Sequence, residues 1–281
     1  MAGLLIIETV EELKDVLFRI RSNGKSIGFV PTMGALHDGH LSLIKRAHDE
    51  TEVVVCSIFV NPTQFNQMSD LESYPKTPEQ DIAKIEEYVD IVFMPTQAEI
   101  YPEPPSEKFD FGQLEKVMEG TSRPGHFNGV ATIVKRLFDW INPDKAYFGE
   151  KDFQQLAIIR QLVKDNNLDV QIVACPIVRE SNGLAMSSRN RRLTPEQFVL
   201  AGNIARILEA STRITPCTVQ NVKEFVNNEL GKYPDFRLDY FEIADENTLQ
   251  PVADFNGHDG VMGCVAIYLG DVRLIDNIRY K

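Results

Sequence analysis

Residues 28–40 read GFVPTMGALHDGH, a stretch that predicts a buried strand, a tight glycine turn and the start of a helix. In α/β folds this layout holds phosphate, because the free N–H groups of the helix's first turn favour negative charge. Gly34 lets the backbone approach a ligand closely, and Gly39 leaves that side of the helix open. His37 and His40 are three residues apart, so a helix that begins between them directs both side chains to one place.

Two other interpretations of this histidine pair stay open. Histidines near a helix start are often capping or core residues. A zinc site needs a third or fourth ligand, and no Cys or His lies nearby in the sequence except His48, eight residues beyond His40. A helical zinc pair also prefers a spacing of four with Glu in between, whereas His37 and His40 enclose Asp-Gly. The residues therefore favour phosphate recognition over metal binding.

The stretch at residues 28–40 lies in a longer segment, residues 1–179, in which five apolar runs alternate with helical patterns. This alternation predicts an α/β fold with a Rossmann-like, doubly wound parallel sheet. Residues 96–126 are rich in proline and predict a long excursion over the ligand edge of that sheet. The predicted strands are 27–30, 53–60, 90–95, 145–149 and 170–178, and the predicted helices are 10–21, 40–47, 77–88, 130–140 and 151–166.

The pattern changes after the loop at residues 181–192. The tetrapeptide TPEQ occurs at residues 77–80 and again at residues 194–197, and each copy predicts a capping box with proline at the first helical position. The predicted elements that follow are helices 195–210 and 218–230 and strands 238–243, 264–269 and 272–276. Their short connections favour antiparallel pairing, so residues 180–281 are predicted to form a smaller C-terminal α+β domain.

The composition excludes several classes of function. The chain has 281 residues, 43% of them hydrophobic, and a net charge of −12, which argues against general nucleic-acid binding. No charged-then-apolar leader and no apolar run near 18 residues occurs, so we expect a cytoplasmic protein without membrane contact. The four cysteines, Cys56, Cys175, Cys217 and Cys264, are scattered and suggest neither disulfides nor a metal site.

Two further polar loops could bind phosphate. Residues 149–152 read GEKD, follow a predicted strand and open a helix, and Lys151 supplies a point charge. One turn into that helix, Gln154 and Gln155 are predicted to hydrogen-bond a polar substrate. Residues 186–191 read MSSRNR, and their hydroxyls and the fork of Arg189 are good partners for phosphate oxygens. Taken separately, the first loop could equally be a solvated turn and the second a flexible linker.

Together, HDGH early in the chain and MSSR late in the chain resemble the paired signatures of the nucleotidylyl transferase superfamily. That superfamily includes the class I aminoacyl-tRNA synthetases, which the acidic net charge disfavours here. Longer segments are similar to one family, the pantothenate synthetases or pantoate–β-alanine ligases. These segments are PTMGALHDGH at residues 31–40, FVNPTQF at 59–65, RPGHF at 123–127, FGEKDFQQ at 148–155 and MSSRN at 186–190.

The resemblance implies an enzyme that condenses (R)-pantoate with β-alanine to give pantothenate, a coenzyme A precursor. In that family the pantoate carboxylate attacks the α-phosphate of ATP, which releases pyrophosphate and leaves pantoyl adenylate, and the amine then displaces AMP. The resemblance also implies that the enzyme uses Mg²⁺ and forms a homodimer. We expect the second domain to act as a lid, because a reactive adenylate must be shielded from water.

The resemblance also implies roles for single residues. Gln64 would bind pantoate and β-alanine, and Gln155 would bind pantoate. His40 would be the proton donor, assisted by His37 and Lys151. The implied ATP-binding residues are Met33, Gly34, Ala35, Leu36, His37, Asp38, Gly39, His40, Gly149, Glu150, Lys151, Asp152, Val178, Met186, Ser187, Ser188 and Arg189.

Two further positions bear on magnesium and anion binding. Asp81 is a weak candidate for a magnesium ligand, since a capped helix face explains it equally well. Lys76 stands where the family usually has Arg, and lysine keeps the charge but loses the bidentate fork. Two rival functions also remain open, a transferase that leaves the nucleotide on its product and a module that only senses nucleotide.

Overall fold

The structure, a computed structural model, describes residues 3–281 and divides into two compact units. Of the described residues, unit 1 comprises 3–111, Pro124–Glu150 and Ile158–Pro176, and unit 2 comprises Gly112–Arg123, Lys151–Ala157 and Ile177–Lys281. The predicted division at residues 179/180 differs from this grouping, because two short segments of unit 2 precede it in the chain. Contacts with residues far away in the sequence place those segments in unit 2, and local patterns do not reveal such contacts.

Unit 1 contains a parallel sheet, and in the described part of the chain it has six strands in the order β1-β4-β3-β2-β5-β6. The strands are β1 Leu5–Ile7, β2 Ile27–Thr32, β3 Val53–Ile58, β4 Ile91–Phe93, β5 Lys145–Gly149 and β6 Gln171–Cys175. The predicted parallel α/β sheet is therefore confirmed. The prediction missed β1, whose three residues are too few to show a periodic pattern and are held by pairing with β4.

Helices separate these strands, as the α/β alternation predicts. The helices that precede residue 177 are α1 Val10–Ser22, α2 Asp38–Glu50, α3 Met68–Glu72, α4 Pro78–Ile85, α5 Gln97–Ile100, α6 Met118–Ser122, α7 His126–Ile141 and α8 Phe153–Asp165. The excursion predicted for residues 96–126 thus contains two short helices. The strand predicted to reach residue 178 ends at Cys175, because Pro176 has no N–H for the ladder.

The two TPEQ segments behave differently. At the second, Thr194 Oγ1 accepts from the N–H of Gln197 at 3.2 Å, and the N–H of Thr194 donates to Gln197 Oε1 at 3.0 Å, so that capping box is confirmed. At the first, the Thr77 hydroxyl makes no capping hydrogen bond, so that predicted box is wrong. Its Oγ1 donates instead to Asp81 Oδ1 at 3.1 Å. The two identical tetrapeptides therefore differ in helix capping, because the carboxylate of Asp81, one turn later, binds the hydroxyl of Thr77.

Unit 2 is built on an antiparallel sheet, as predicted, with strand order β7-β8-β9 in the described residues. Its strands are β7 Phe236–Asp245, β8 Val261–Leu269 and β9 Val272–Arg279, and its long helices are α9 Pro195–Ser211 and α10 Val219–Leu230. Apolar residues of both helices, including Ile204 and Val222, form one core cluster with Ile267 of the sheet. Burying these side chains is the main stabilising contribution to the unit.

Among residues 3–281, no helix combines the length and apolarity that crossing a membrane requires. Over the same residues the four cysteines are free of disulfides, and Cys56 and Cys175 are buried as small apolar side chains.

Candidate active site

The turn after β2 is held in shape by a buried carboxylate. Gly34 and Ala35 have positive φ angles of 76° and 50°. Asp81, which is only 2% exposed, accepts the N–H groups of Ala35 at 2.8 Å and Leu36 at 2.7 Å. A Cβ at Gly34 would lie 3.1 Å from Asp81 Oδ2, so a larger residue there would meet both an unfavourable φ and a crowded neighbour. Asp81 thus fixes the loop that precedes the histidine pair.

The two histidines are capping residues, and the capping leaves them suited to bind an anion. His37 is the N-cap of α2, and its Nδ1 accepts from the N–H of Gly39 at 3.2 Å. His40 Nδ1 accepts from the N–H of His37 at 3.3 Å, and the ring centroids are 4.0 Å apart. Because each Nδ1 accepts, the proton of each neutral ring is on Nε2. The pair therefore presents two N–H donors at a helix N-terminus, where the dipole favours negative charge.

The loop after β3 lies beside this turn. β2 and β3 are parallel neighbours, and the N–H of Phe59 donates to the carbonyl of Thr32 at 3.1 Å where the strands end. In the loop, Gln64 Nε2 lies 3.2 Å from Met33 Sδ. The backbone carbonyl of Gln64 accepts from His126 Nδ1 at 2.7 Å. Unit 1 therefore brings the predicted substrate residue Gln64 to the predicted ATP residue Met33.

The strand order also brings part of the GEKD motif to the same edge. β5 is a parallel neighbour of β2, so Gly149 leaves the sheet at the carboxyl edge that carries the histidine turn. Gly149 and Glu150 belong to unit 1, whereas Lys151 and Asp152 belong to unit 2.

Unit 2 brings a second set of predicted residues together. The N–H of Met186 donates to the carbonyl of Val178 at 3.0 Å, across a hairpin that was predicted only as a loop. Ser187 Oγ then caps the following 3₁₀ turn by accepting from the N–H of Arg189 at 3.3 Å. Ser188 is buried in that turn. The carbonyl of Lys151 accepts from Asn277 Nδ2 at 3.1 Å, which links Lys151 to β9 within unit 2.

The neighbouring glutamines of α8 have different environments. Gln155 is half-buried. Gln154 is buried and donates through Nε2 to the carbonyls of Leu114 at 2.7 Å and Val117 at 2.9 Å, while its Oε1 accepts the N–H of Glu119 at 2.9 Å. A substrate contact for Gln154, which its position in the helix had suggested, is therefore wrong, because its amide is already used to hold the 112–123 segment.

In the part of the chain that the structure describes, the side chains that could hold a metal ion form no dedicated site. Among residues 3–281, no three His, Cys, Asp or Glu side chains are grouped in a way that suits one. Both oxygens of Asp81 accept hydrogen bonds inside unit 1, which leaves it poorly placed as a magnesium ligand. Lys76, the departure from the family pattern, is exposed.

Sequence reasoning gave no role to two residues beside the site, Asn61 and Tyr101. Asn61 is 1% exposed, and its side chain bonds to both Tyr101 and Gln64. The available signal for Asn61 was a polar residue directly after the mostly apolar run at residues 53–60. Tyr101 lies far away in the sequence and offered no local signal.

Comparison with known proteins gives a consistent result over the whole chain. Residues 5–279 match the sequence profile of a family described as Pantoate-beta-alanine ligase. A pantothenate synthetase from Porphyromonas gingivalis is 52% identical over 278 residues, which cover 98% of this chain and 99% of the relative. One from Bacteroides fragilis is 50% identical over the same coverage.

Solved structures of similar proteins share the fold. The crystal structure of pantothenate synthetase from Thermus thermophilus is 42% identical, with a TM-score of 0.93 and 99% coverage of both chains. The pantoate-beta-alanine ligase from Francisella tularensis, described as complexed with beta-gamma ATP and beta-alanine, is 36% identical, with a TM-score of 0.84. It covers 99% of this chain and 98% of that one.

Proposed function

The chain belongs to the pantoate-beta-alanine ligase family, which joins pantoate to β-alanine with ATP, and we propose that it does so through an enzyme-bound pantoyl adenylate. A carboxylate resists attack by an amine because oxide is a very poor leaving group, so the acid must first be activated. A pantoate carboxylate oxygen attacks the α-phosphorus of ATP, and the bond to the bridging oxygen of pyrophosphate breaks. The β-alanine amine then attacks the acyl carbon, loses a proton and displaces AMP.

The observation that carries this mechanism is the orientation of the two imidazoles. Both His37 and His40 use Nδ1 to accept backbone N–H groups, so their Nε2–H groups are the donors that meet phosphate oxygens. Such donors stabilise the charge that builds on the departing pyrophosphate. We propose that His40 supplies this N–H as a hydrogen-bond donor; the proton donor that the resemblance implies would need a second ring proton, and the Nδ1 of His40 accepts from the backbone instead. No side-chain nucleophile is needed, since the chemistry depends on positioning and electrostatics.

The remaining residues of the proposed site follow the family motifs. Lys151 and Arg189 supply positive charge to the phosphates, and Gln64 and Gln155 hold pantoate. The proximity of Gln64 to Met33 supports a pantoate pocket next to the nucleotide turn. The other proposed nucleotide contacts are Gly34, Ala35, Leu36, Asp38, Gly39, Gly149, Glu150, Asp152, Val178, Met186, Ser187 and Ser188.

In this proposal Mg²⁺ binds only together with ATP, through the phosphates of the nucleotide. Mg²⁺ keeps several waters and is usually bound through substrate phosphates with one or two carboxylates. The hydrogen bonds that occupy Asp81 disfavour it as such a carboxylate. No step of the mechanism is therefore assigned to a protein-bound metal.

The test is a stopped assay of purified protein with Mg²⁺, ATP, pantoate and β-alanine that follows pyrophosphate and AMP separately. We expect pyrophosphate with pantoate alone, and AMP only after β-alanine is added. A product that retains the nucleotide would indicate a transferase, and ATP binding without pyrophosphate release would indicate a sensing module. Either result would contradict the two-step ligation.

Three further features stay predictions. A homodimer follows from the resemblance and is checked by analytical ultracentrifugation. A cytoplasmic location is checked by fractionation of the source cells. The lid role of the smaller domain predicts compaction in small-angle scattering when ATP and pantoate are added, and slow adenylate hydrolysis without compaction would contradict it.

A further inference from the structure

The side chain of Asn61 has its orientation fixed by its neighbours. Its Oδ1 is approached by Tyr101 OH at 2.8 Å, Thr63 Oγ1 at 2.9 Å and the N–H of Thr63 at 3.4 Å. Its Nδ2 faces two acceptors, Gln64 Oε1 at 3.0 Å and the carbonyl of Gly129 at 3.1 Å. Rotating the amide by half a turn would set donor against donor and acceptor against acceptor, so only one orientation satisfies the site.

This fixed amide sets the orientation of the next one. Because Asn61 offers a donor, Gln64 must turn its carbonyl oxygen towards it, and its Nε2 group then points away from Asn61. In the structure Nε2 lies 3.2 Å from Met33 Sδ. Thioether sulfur is a weak acceptor, and a substrate oxygen would be a stronger partner for the same N–H group. Gln64 is therefore oriented as a hydrogen-bond donor.

Tyr101 is itself held firmly in unit 1. The guanidinium of Arg136 lies 4.9 Å from the centroid of the tyrosine ring, donates to the carbonyl of Ile100 at 2.5 Å and pairs with Glu107 at 2.6 Å. Burial raises the pKa of the Tyr101 phenol, so the hydroxyl keeps its proton well above neutral pH. The phenol is therefore a permanent donor to Asn61.

We propose that Tyr101 is a positioning residue that acts through Asn61 to make Gln64 a hydrogen-bond donor, so that this subsite selects an oxygen acceptor on the pantoate. The inference rests on the proposed function, which places pantoate at Gln64. Tyr101 touches no substrate in this scheme, and its effect passes entirely through the two amides. Loss of its hydroxyl removes the shortest of the three hydrogen bonds to Asn61 Oδ1, so the orientation of Asn61, and through it that of Gln64, is held less firmly.

The test begins with Tyr101→Phe, which removes the hydroxyl and keeps the ring beside Arg136. We expect the KM for pantoate to rise about 5–10-fold, the cost of one misdirected neutral hydrogen bond, while kcat and the KM for ATP change by less than about twofold. Tyr233→Phe is the matched control, because the Tyr233 hydroxyl donates to Asn203 Oδ1 at 3.0 Å within unit 2. Equal effects of the two variants on pantoate KM would overturn the proposal.

A double-mutant cycle with Gln64→Ala separates this inference from the proposed function. If Tyr101 acts through Gln64, Tyr101→Phe raises the pantoate KM of the wild type but not that of Gln64→Ala. An equal rise in both backgrounds would overturn the relay while leaving the pantoate site in place. If Gln64→Ala alone left the pantoate KM unchanged, the assignment of pantoate to Gln64 would itself be wrong.

The variant Gln64→Glu tests whether Gln64 acts as a hydrogen-bond donor to the substrate. A carboxylate of nearly the same size still accepts from Asn61 but has no N–H to give at neutral pH. We therefore expect Gln64→Glu to raise the pantoate KM at least as much as Gln64→Ala. Near-normal pantoate binding by Gln64→Glu would show that the substrate meets an acceptor there, and the inference would fail.

Discussion

Glu119 and Arg273 form a bidentate ion pair in unit 2, with Arg273 Nη1 2.7 Å from Glu119 Oε2 and Nη2 2.7 Å from Oε1. Burial alone would raise the pKa of Glu119, but the hydrogen bonds and charge of Arg273 outweigh it and lower the pKa to about 2. The hydroxyl of Tyr240 donates to the same carboxylate at 2.8 Å. The pair joins α6, a short helix from the middle of the chain, to the C-terminal sheet.

This pair predicts a specific dependence of stability on pH. A carboxylate whose folded pKa is lowered stabilises the fold above its ordinary pKa near 4.5, and that contribution is lost as the pH falls towards 2. Glu119→Gln should lower the free energy of unfolding by about 3 kcal/mol at pH 7, because it breaks a buried pair. Denaturant unfolding across pH 7 to 3 should show the difference shrinking below pH 4.5. Glu209→Gln, at an exposed pair with Arg213, is the control, and a pH-independent difference for Glu119→Gln would contradict the assignment.

Removing the proposed donor to the phosphates, His40, should lower turnover without unfolding the protein. His40→Ala is expected to reduce kcat by about 10²–10³-fold, the usual effect of one lost donor to a charged transition state. His48→Ala on the same helix is the control, since that ring packs edge-on against Tyr88. Pyrophosphate release in single-turnover experiments measures the step directly. Normal turnover of His40→Ala would remove His40 from the mechanism.

Gly34→Ala should weaken both the fold and ATP binding. Gly34 and Gly24 have similar φ angles, 76° and 72°, so alanine at either position has the same backbone strain of about 1 kcal/mol. Gly24 has open space around it, whereas a Cβ at Gly34 would lie 3.1 Å from Asp81 Oδ2 and from Ile58 Cγ2. Thermal melting and ATP titration should therefore show a larger effect for Gly34→Ala. Equal effects would mean that crowding at the turn is unimportant.

Asp81→Asn distinguishes an anchor of the turn from a magnesium ligand. Asparagine has one acceptor oxygen for two backbone N–H groups, so one of them loses its buried partner at a cost of about 1–3 kcal/mol. We expect a higher KM for ATP that excess Mg²⁺ does not restore. Glu79→Gln, an exposed substitution on the same helix, is the control. Recovery of ATP binding at high Mg²⁺ would instead support Asp81 as a metal ligand.

Local pattern was sufficient for the parts of the fold that depend on burial of continuous apolar runs. The β3 strand and the glycine turn at Gly34 were predictable, because β3 is a nearly continuous apolar run and the turn needs a residue that tolerates positive φ. The β1 strand was not predictable, since its three residues are too few to show the alternation of apolar and polar side chains that marks a strand.

The interactions that complete the candidate site were less predictable, because they join residues far apart in the sequence. Thr77 looked like an N-cap, but Asp81 takes its hydroxyl, and Asp81 in turn holds Ala35. Gln154 looked free to bind a substrate, but the backbone of residues 114–119 uses its amide. Composition and spacing identify which residue types are present at a site, whereas long-range partners decide which of their atoms remain available.

The route of the chain through unit 2 limits how the protein can be divided genetically. Because Gly112–Arg123 and Lys151–Ala157 belong to that unit, a gene fragment starting at Ile177 would encode its sheet without Glu119. Arg273 would keep Asp239, at 2.7 Å, but would lose its bidentate partner. The C-terminal sheet therefore depends on sequence encoded in the middle of the gene, and recombination between relatives would preserve this unit best when all three segments come from the same parent.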